Sequence, residues 1–391
     1  MKLVYAGEDT PEVLTKSLFL AGCSSRNQEE VESWRKDAIQ ILDDIGFEGE
    51  VFIPEGRDGK FKLDYTDQVD WEEKHLKIAD CILFWIPRDL SPDSKGNPKM
   101  AGLTTNVEFG VWADSGKVVM GAPKDADKNT YIKHYCQIYN IPVADSLTET
   151  LDNAIEKLGK GAERSGGERY VPLFIWNTSS FQSWYKSQID SDNKLENAEL
   201  LYSFRPGFKS FVFLWILRVS IFVASENRSK TNEFVLSRPD ISSVLMYKKN
   251  KIIEDTEVVI VKEFRSPART SDSFIRELPG GSSIKPNEDP KDVASEEIHE
   301  ETGLHLESSR FVIHEARQLA ATLSSHKSHL FSVELTDEEM DWLKSQQGIA
   351  HGNEADTERT FVEVLTIKYL LDSEDLDWTN IGMIMSVLYK I

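Results

Sequence analysis

Two stretches of this chain place carboxylates at spacings that can do chemistry. From Ser295 to Leu304 the sequence reads SEEIHEETGL, which puts Glu296, Glu297, Glu300 and Glu301 within six positions. On a helix Glu297 and Glu301 lie four apart on one face, with Glu300 three from Glu297, and like charges so spaced repel. Either water screens them, as on a solvated acidic face, or a cation belongs there. Carboxylates converging from adjacent turns form a hard-oxygen set for Mg²⁺ or Mn²⁺, ions that keep their waters and bridge to substrate phosphates. Asp289-Pro290 is a good helix start and Gly303 a good stop. The second stretch is LTTNVEFGVW, in which Glu108 lies near a helix start after a strand and a loop. An ionised carboxylate there can attack an anomeric carbon and form a glycosyl-enzyme. Thr105-x-x-Glu108 also fits a capping box, in which the glutamate only closes the helix start.

The elements that must hold these residues can be read from periodicity. SLFLAG, EVFIPE, DCILFWIP and KVVMGAP are short strands, and NQEEVESWRKDAIQILDDIG is an amphipathic helix stopped by Gly46. TTNVEFGVWADSG and SLTETLDNAIEKLG are further helices. This alternation implies a parallel α/β sheet flanked by helices over residues 1–162. KGAERSGGERY is rich in glycine and charge, so a linker or boundary is expected there, followed by an aromatic-rich ordered connector over 163–208. From 209 to 391 long strands, one strong helix (Pro290 to Glu301) and a terminal helix in NIGMIMSVLYK make an α+β pattern.

Composition narrows the function. A net charge of −21 argues against a general binder of nucleic-acid polymers, which needs a basic surface, but not against nucleotides held through a metal. Cys23, Cys81 and Cys136 lack metal-ligand spacing and suit a reducing compartment. FVFLWILRVSIFVA is too short to span a bilayer and is interrupted by Arg218, so it reads as buried strand. No signal peptide is visible, and a cytoplasmic protein without membrane partners is expected.

Two resemblances extend this reading. LFLAGCSS, WRKDAI, VFIPE, WEEKHLKIADCILFWIPR, TTNVEFG and SGKVVMGAP occur in the order seen in nucleoside 2-deoxyribosyltransferase-like proteins. That resemblance implies Glu108 as the nucleophile on the sugar C1′ and Glu72 as the acid handling the departing base. Gly22 and Asp80 would lie by the substrate, a nucleoside or nucleotide, with a structural role at the strand edge the equal alternative for Asp80. LPGGSSIKPNEDPKDVASEEIHEETGL resembles the box of the Nudix hydrolases, with VKEFRSP and FIRELPGG similar to the ADP-ribose pyrophosphatase branch. It implies a Nudix fold, Mg²⁺ (or Mn²⁺) on Glu297, Glu300 and Glu301, catalysis by Glu297 and Glu301, substrate contacts from Arg265 and Glu277, and a homodimer. Glu354 or Glu358 would add a late carboxylate. Two departures stand out: Glu296 replaces the family arginine, and the loop from Gly281 to Glu288 is one residue longer. The expected function is a bifunctional nucleotide-metabolising enzyme; the alternative is a Nudix-like module that senses a nucleotide and regulates its neighbour.

Overall fold

The computed structural model describes residues 1–25, 31–59, 63–206, 211–282, 288–352 and 358–390, which divide by compactness into Met1–Phe234 and Val235–Ile391. In the first unit, strands β1 (Lys2–Tyr5), β2 (Ser17–Gly22), β3 (Glu50–Ile53), β4 (Cys81–Trp85), β5 (Val118–Gly121) and β6 (Val143–Ala144) form a sheet in the order β1-β3-β2-β4-β5-β6. Every pairing in it is parallel. Its central strands are largely apolar and buried, as a sheet covered on both faces requires. Helices α1 (Arg35–Asp44) and α5 (Leu147–Leu158) pack Ala38, Leu42, Leu151 and Ala154 on one face. On the other lie α2 (Tyr65–Ile78), α3 (Leu103–Trp112) and α4 (Thr130–Ile138), through Trp71, Leu76, Phe109 and Ile132. The connection from β2 leads to β3 on one side, and the next returns past β2 to β4 on the other. The order therefore reverses at β2, and a crevice opens beyond its carboxyl end. Gly22 closes that strand at φ 133°, and a Cβ there would sit 1.9 Å from the Trp85 carbonyl oxygen, so only glycine lets β2 and β4 approach.

Residues 160–170 are not a linker. Arg164 and Ser165 pair antiparallel with Leu14 and Val13, and Arg164 is wholly buried. The aromatic segment that follows is a foundation: Phe181 and Trp184 of α6 (Ser179–Ile189) pack against Trp215, whose Nε1 donates to Ser180 Oγ at 2.9 Å. Trp215 belongs to β8 (Leu214–Val223), the middle of a three-stranded sheet with β7 (Lys194–Phe204) and β9 (Arg228–Ser237). This anchoring puts the compact division after Phe234 rather than at the composition change near 209. FVFLWILRVSIFVA does supply a strand, with alternate residues buried.

The second unit is built on a mixed sheet. β10 (Ile241–Lys248) and β11 (Glu257–Phe264) are extended by β12 (Phe274–Glu277), β13 (Gly280–Gly281), β14 (Lys327–Glu334) and β15 (Thr360–Thr366). β10 runs parallel to β14 and antiparallel to β11. The glutamate helix α7 (Pro290–Thr302) and α8 (Asp337–Ser345) cover one face with Ala294, Ile298, Met340 and Leu343. The last helix, α9 (Trp378–Leu388), covers the other with Ile384, Val387 and Leu388. Asp289 caps α7 by accepting from the Lys291 amide, and Gly303 ends it at φ 74°. Among the described residues no helix is long and apolar enough to cross a membrane.

Candidate functional site

The residues beyond the strand ends of the first unit come together at the switch point. Arg35, at the start of α1, reaches over the end of β2: Nε donates to Leu20 O at 2.9 Å, Nη1 to Ser24 Oγ at 2.7 Å and to Glu55 Oε1 at 2.6 Å. Arg35 and Glu55 are 2% and 3% exposed, so this is a buried, hydrogen-bonded pair rather than a surface salt bridge. Ser33 Oγ adds a second donor to Glu55 at 2.6 Å, and Trp34 Nε1 ties to Cys23 O at 2.9 Å. On the other face Glu72 of α2 and Glu108 of α3 are both half-buried and feel the same arginine. Burial pushes Glu108 up to about 7, with the charge of Glu72 adding and Arg35 opposing. Burial also raises Glu72, against a hydrogen bond from Gln68 Nε2 at 2.7 Å and the pull of Arg35. Two carboxyls in one field tend to share a proton, so one is acid while the other is base.

Glu108 is not a capping residue. The helix starts two residues before Thr105, with Gly102 as N-cap at φ 61° and no side-chain cap. A Cβ on Gly102 would lie 2.3 Å from Cys23 Sγ. Thr105 is buried and hydrogen-bonds the Cys23 sulfur instead, which places Glu108 in the second turn. There the helix dipole does little to keep Glu108 ionised, and burial dominates.

Of the two readings of Asp80, by the substrate or structural at the strand edge, the hydrogen bonds fit the second: it lies at the opposite, amino end of the sheet. It accepts from Ser17 N and Oγ, each at 2.9 Å, from Leu173 N at 3.0 Å, and from both terminal nitrogens of Arg164. Gly22 serves the strand pairing described above. Trp34 and Trp71 are buried, as is Phe19, while Tyr5 is half-buried beneath Arg57. Arg88, past the end of β4, was not singled out by sequence. It is 9% exposed, donates from Nη2 to Asn106 of α3 at 2.5 Å and leaves Nε buried without a partner.

The second unit assembles a different carboxylate set from the one the helix spacing implies. Glu263, Glu301 and Glu358 bring ligand oxygens within 4.8 Å of one another. Glu301 is 1% exposed and accepts from Gly280 N at 2.9 Å. Burial drives its carboxyl well above the usual range, reinforced by Glu297. Glu263, on β11, is pushed up to about 7 by burial, against Arg265. Glu297 stands beside this group and is raised to about 7 by burial and by Glu300, Glu358 and Glu296. Its carboxylate occupies the space a Cβ on Gly281 would need, 2.3 Å from Oε1. Glu300 is exposed on α7 and outside the group, because the helix turns it toward solvent. Arg265 and Glu277 meet each other: Nε and Nη2 both donate to Glu277 Oε1, at 3.0 and 2.6 Å. Glu354 lies outside the described residues, whereas Glu358 is the late carboxylate.

The set fits a divalent cation on two grounds. Glu263 Oε2 is buried without a hydrogen-bond partner although Arg265 Nη2 is 2.9 Å away, and the four carboxyls Glu263, Glu297, Glu301 and Glu358 gather beside two arginines, Arg238 and Arg265. Repulsion of this kind is relieved by a metal or by protons.

Residues 15–126 match the family model described as nucleoside 2-deoxyribosyltransferase like. The chain carries that domain. The match spans β2 to β5 with α1, α2 and α3, and so takes in Arg35, Glu55, Glu72 and Glu108. It covers less than half of the chain, and no curated protein matches the sequence. In the deoxyribosyltransferase-like domain Glu55 and Arg88 are the residues that sequence reading missed. The only signal for Glu55 was its place at the end of VFIPE.

Proposed function

We propose that the deoxyribosyltransferase-like domain breaks an N-glycosidic bond in a nucleoside or nucleotide, through Glu108 and Glu72. The observation that carries this reading is the coupled pair of half-buried carboxyls at the switch-point crevice, facing the buried Arg35. In its ionised form Glu108 attacks C1′ as the bond to the base nitrogen breaks, and protonated Glu72 gives its proton to that nitrogen. A second base or water then attacks C1′, Glu72 takes up the proton this releases, and Glu108 departs as carboxylate. A base acceptor makes the domain a transferase and water makes it an N-glycosidase.

For the second unit the reading is a Nudix-type hydrolysis of a nucleoside diphosphate linkage, as in an ADP-ribose-like substrate. Glu301, Glu263 and Glu358 would hold Mg²⁺ or Mn²⁺, with Glu297 alongside. Such an ion polarises phosphoryl oxygens and lowers the pKa of bound water. Glu297 is then the residue suited to accept a proton, and Arg265 to orient a phosphate, held ready by Glu277. The exposure of Glu300 favours a second reading, in which this unit binds a nucleotide, turns it over slowly and regulates its neighbour. A homodimer is part of the proposal, supported by Leu201, Tyr202, Phe204 and Phe234 exposed on the three-stranded sheet; light scattering on the eluted protein tests it.

Mass spectrometry of products from nucleosides, nucleoside monophosphates, ADP-ribose and NAD, with and without Mg²⁺, tests both activities. Free base that vanishes in Glu108→Ala, and Mg²⁺-dependent diphosphate cleavage that vanishes in Glu297→Gln, are the expected results. Diphosphates that bind but persist would leave the second unit a sensor.

A further inference from the structure

Beside the carboxylate group of the second unit lies a set of polar side chains that neither site uses. Residues 236–238 run alongside 323–325: Leu236 bridges Ser324, Leu236 N donates to Leu323 O at 3.1 Å, and Ser325 N donates to Leu236 O at 2.9 Å. This brings Arg238 next to His326 and within the field of Arg265 and Glu297. Arg238 Nη2 donates to Ser282 Oγ at 2.7 Å, at the end of the glycine pair that cradles Glu297. Ser324 is 7% exposed, and Ser324 Oγ, Ser325 Oγ and His326 Nδ1 are all buried without a hydrogen-bond partner. Three adjacent orphans are costly, since each buried polar atom has given up its water and gained no partner in return. Asp240 lies close but is not their partner: its oxygens accept from Lys327 N at 2.8 Å and His329 Nε2 at 3.3 Å.

We infer that Arg238, Ser282, Ser324, Ser325 and His326 form a phosphate subsite, which holds one phosphoryl group of a nucleoside diphosphate compound while the carboxylates handle the other. An oxyanion accepts what these groups offer: a guanidinium, three hydroxyl donors, and an imidazole with its proton on Nδ1. Arg238 and Arg265 lie near enough to repel each other, an arrangement that a dianionic group relieves. The inference rests on the diphosphate reading of this unit and names the residues that read the substrate's second phosphate, all outside SEEIHEETGL.

Binding and turnover separate this inference from the reading beneath it. Titration calorimetry on the full chain in EDTA would use inorganic pyrophosphate, ADP-ribose and adenosine as probes. Pyrophosphate and ADP-ribose are expected to bind tenfold or more weakly in Ser324→Ala/Ser325→Ala and in Arg238→Ala, with adenosine unchanged. The serine pair is the fold-safe variant, since it removes unpartnered buried hydroxyls and should leave the melting temperature unchanged or higher. Arg238→Lys, which keeps charge and loses the fork, should fall between. Equal pyrophosphate affinity in wild type and the serine pair, or no pyrophosphate binding by wild type, overturns the subsite. If binding behaves as expected but Mg²⁺ produces no cleavage, the hydrolase reading fails and the subsite stands.

Discussion

Arg164 and Asp80 are joined by two parallel hydrogen bonds, Nη1 to Oδ1 at 2.8 Å and Nη2 to Oδ2 at 2.6 Å, with both side chains entirely withdrawn from solvent. They are 84 positions apart, and the contact stitches the segment after α5 to the amino ends of β2 and β4. Breaking a buried pair from one side strands a charge and costs about 3–5 kcal/mol. Arg164→Ala should therefore unfold the first unit at much lower temperature. Asp80→Asn, which keeps the shape, should be intermediate. Thermal melts measure this, and any glycosidic activity of the folded fraction should keep its KM, because neither residue is near the crevice.

The Glu72–Glu108 pair makes a pH prediction. With Glu108 raised to about 7, the attacking carboxylate accumulates as pH rises through neutrality, so base release should climb on an acid limb near pH 7. Glu72→Gln removes a neighbouring negative charge and should move that limb to lower pH, while the lost proton donor slows the reaction by about 100-fold or more. An unmoved limb would mean the carboxyls are not coupled. Stability should move the opposite way to activity. A carboxyl raised from 4.5 to about 7 contributes stability that is complete below pH 4.5 and lost as pH rises through 7. Glu108→Gln should then melt higher than wild type at pH 8 and level with it near pH 4.5.

What sequence could reach divides along the range of its signals. SLFLAG became β2 residue for residue, and Asp289, Pro290 and Gly303 bound the glutamate helix, because apolar runs and caps are local. The capping-box alternative at Thr105-x-x-Glu108 fails, because a left-handed Gly102 has already begun the helix, a choice dictated by the Cys23 sulfur distant in sequence. KGAERSGGERY read as a linker since nothing beside Arg164 announces Asp80. Glu263 went unseen within an ordinary strand, and only the pairing of β11 with β15 brings it near Glu358. Helix spacing and the box resemblance both pointed to Glu300, which the packing of α7 turns outward.

Metal dependence should show in stability before it shows in turnover. Glu263 is raised to about 7 and Glu301 well above its usual value, so without metal the second unit loses stability as pH rises from 4.5 through 7. A divalent cation needs these groups ionised. Mg²⁺ at a hundredfold its Kd stabilises by about 2.7 kcal/mol, and the rise in Tm should be larger at pH 8 than at pH 6. Glu301→Gln should abolish that rise while itself melting higher than metal-free wild type at pH 8. An equal Mg²⁺ effect in the variant would place the ion elsewhere.

Gly281 offers a test of how the glutamate helix meets the sheet. Its missing side chain is what lets Glu297 lie against β13, since a Cβ would stand 2.3 Å from Oε1 and 2.5 Å from Cδ. Gly281 has no left-handed φ to defend, so alanine brings no backbone strain and its effect must come through that carboxylate. The clash falls on the end of a flexible side chain, and Glu297 can swing aside at small cost to folding. Gly281→Ala should accordingly keep its melting temperature within a few degrees. It should lose most Mg²⁺-dependent diphosphate cleavage, approaching Glu297→Gln, while pyrophosphate binding in EDTA is retained. Full turnover in Gly281→Ala would show that the position of Glu297 against the glycine pair does not matter to the chemistry.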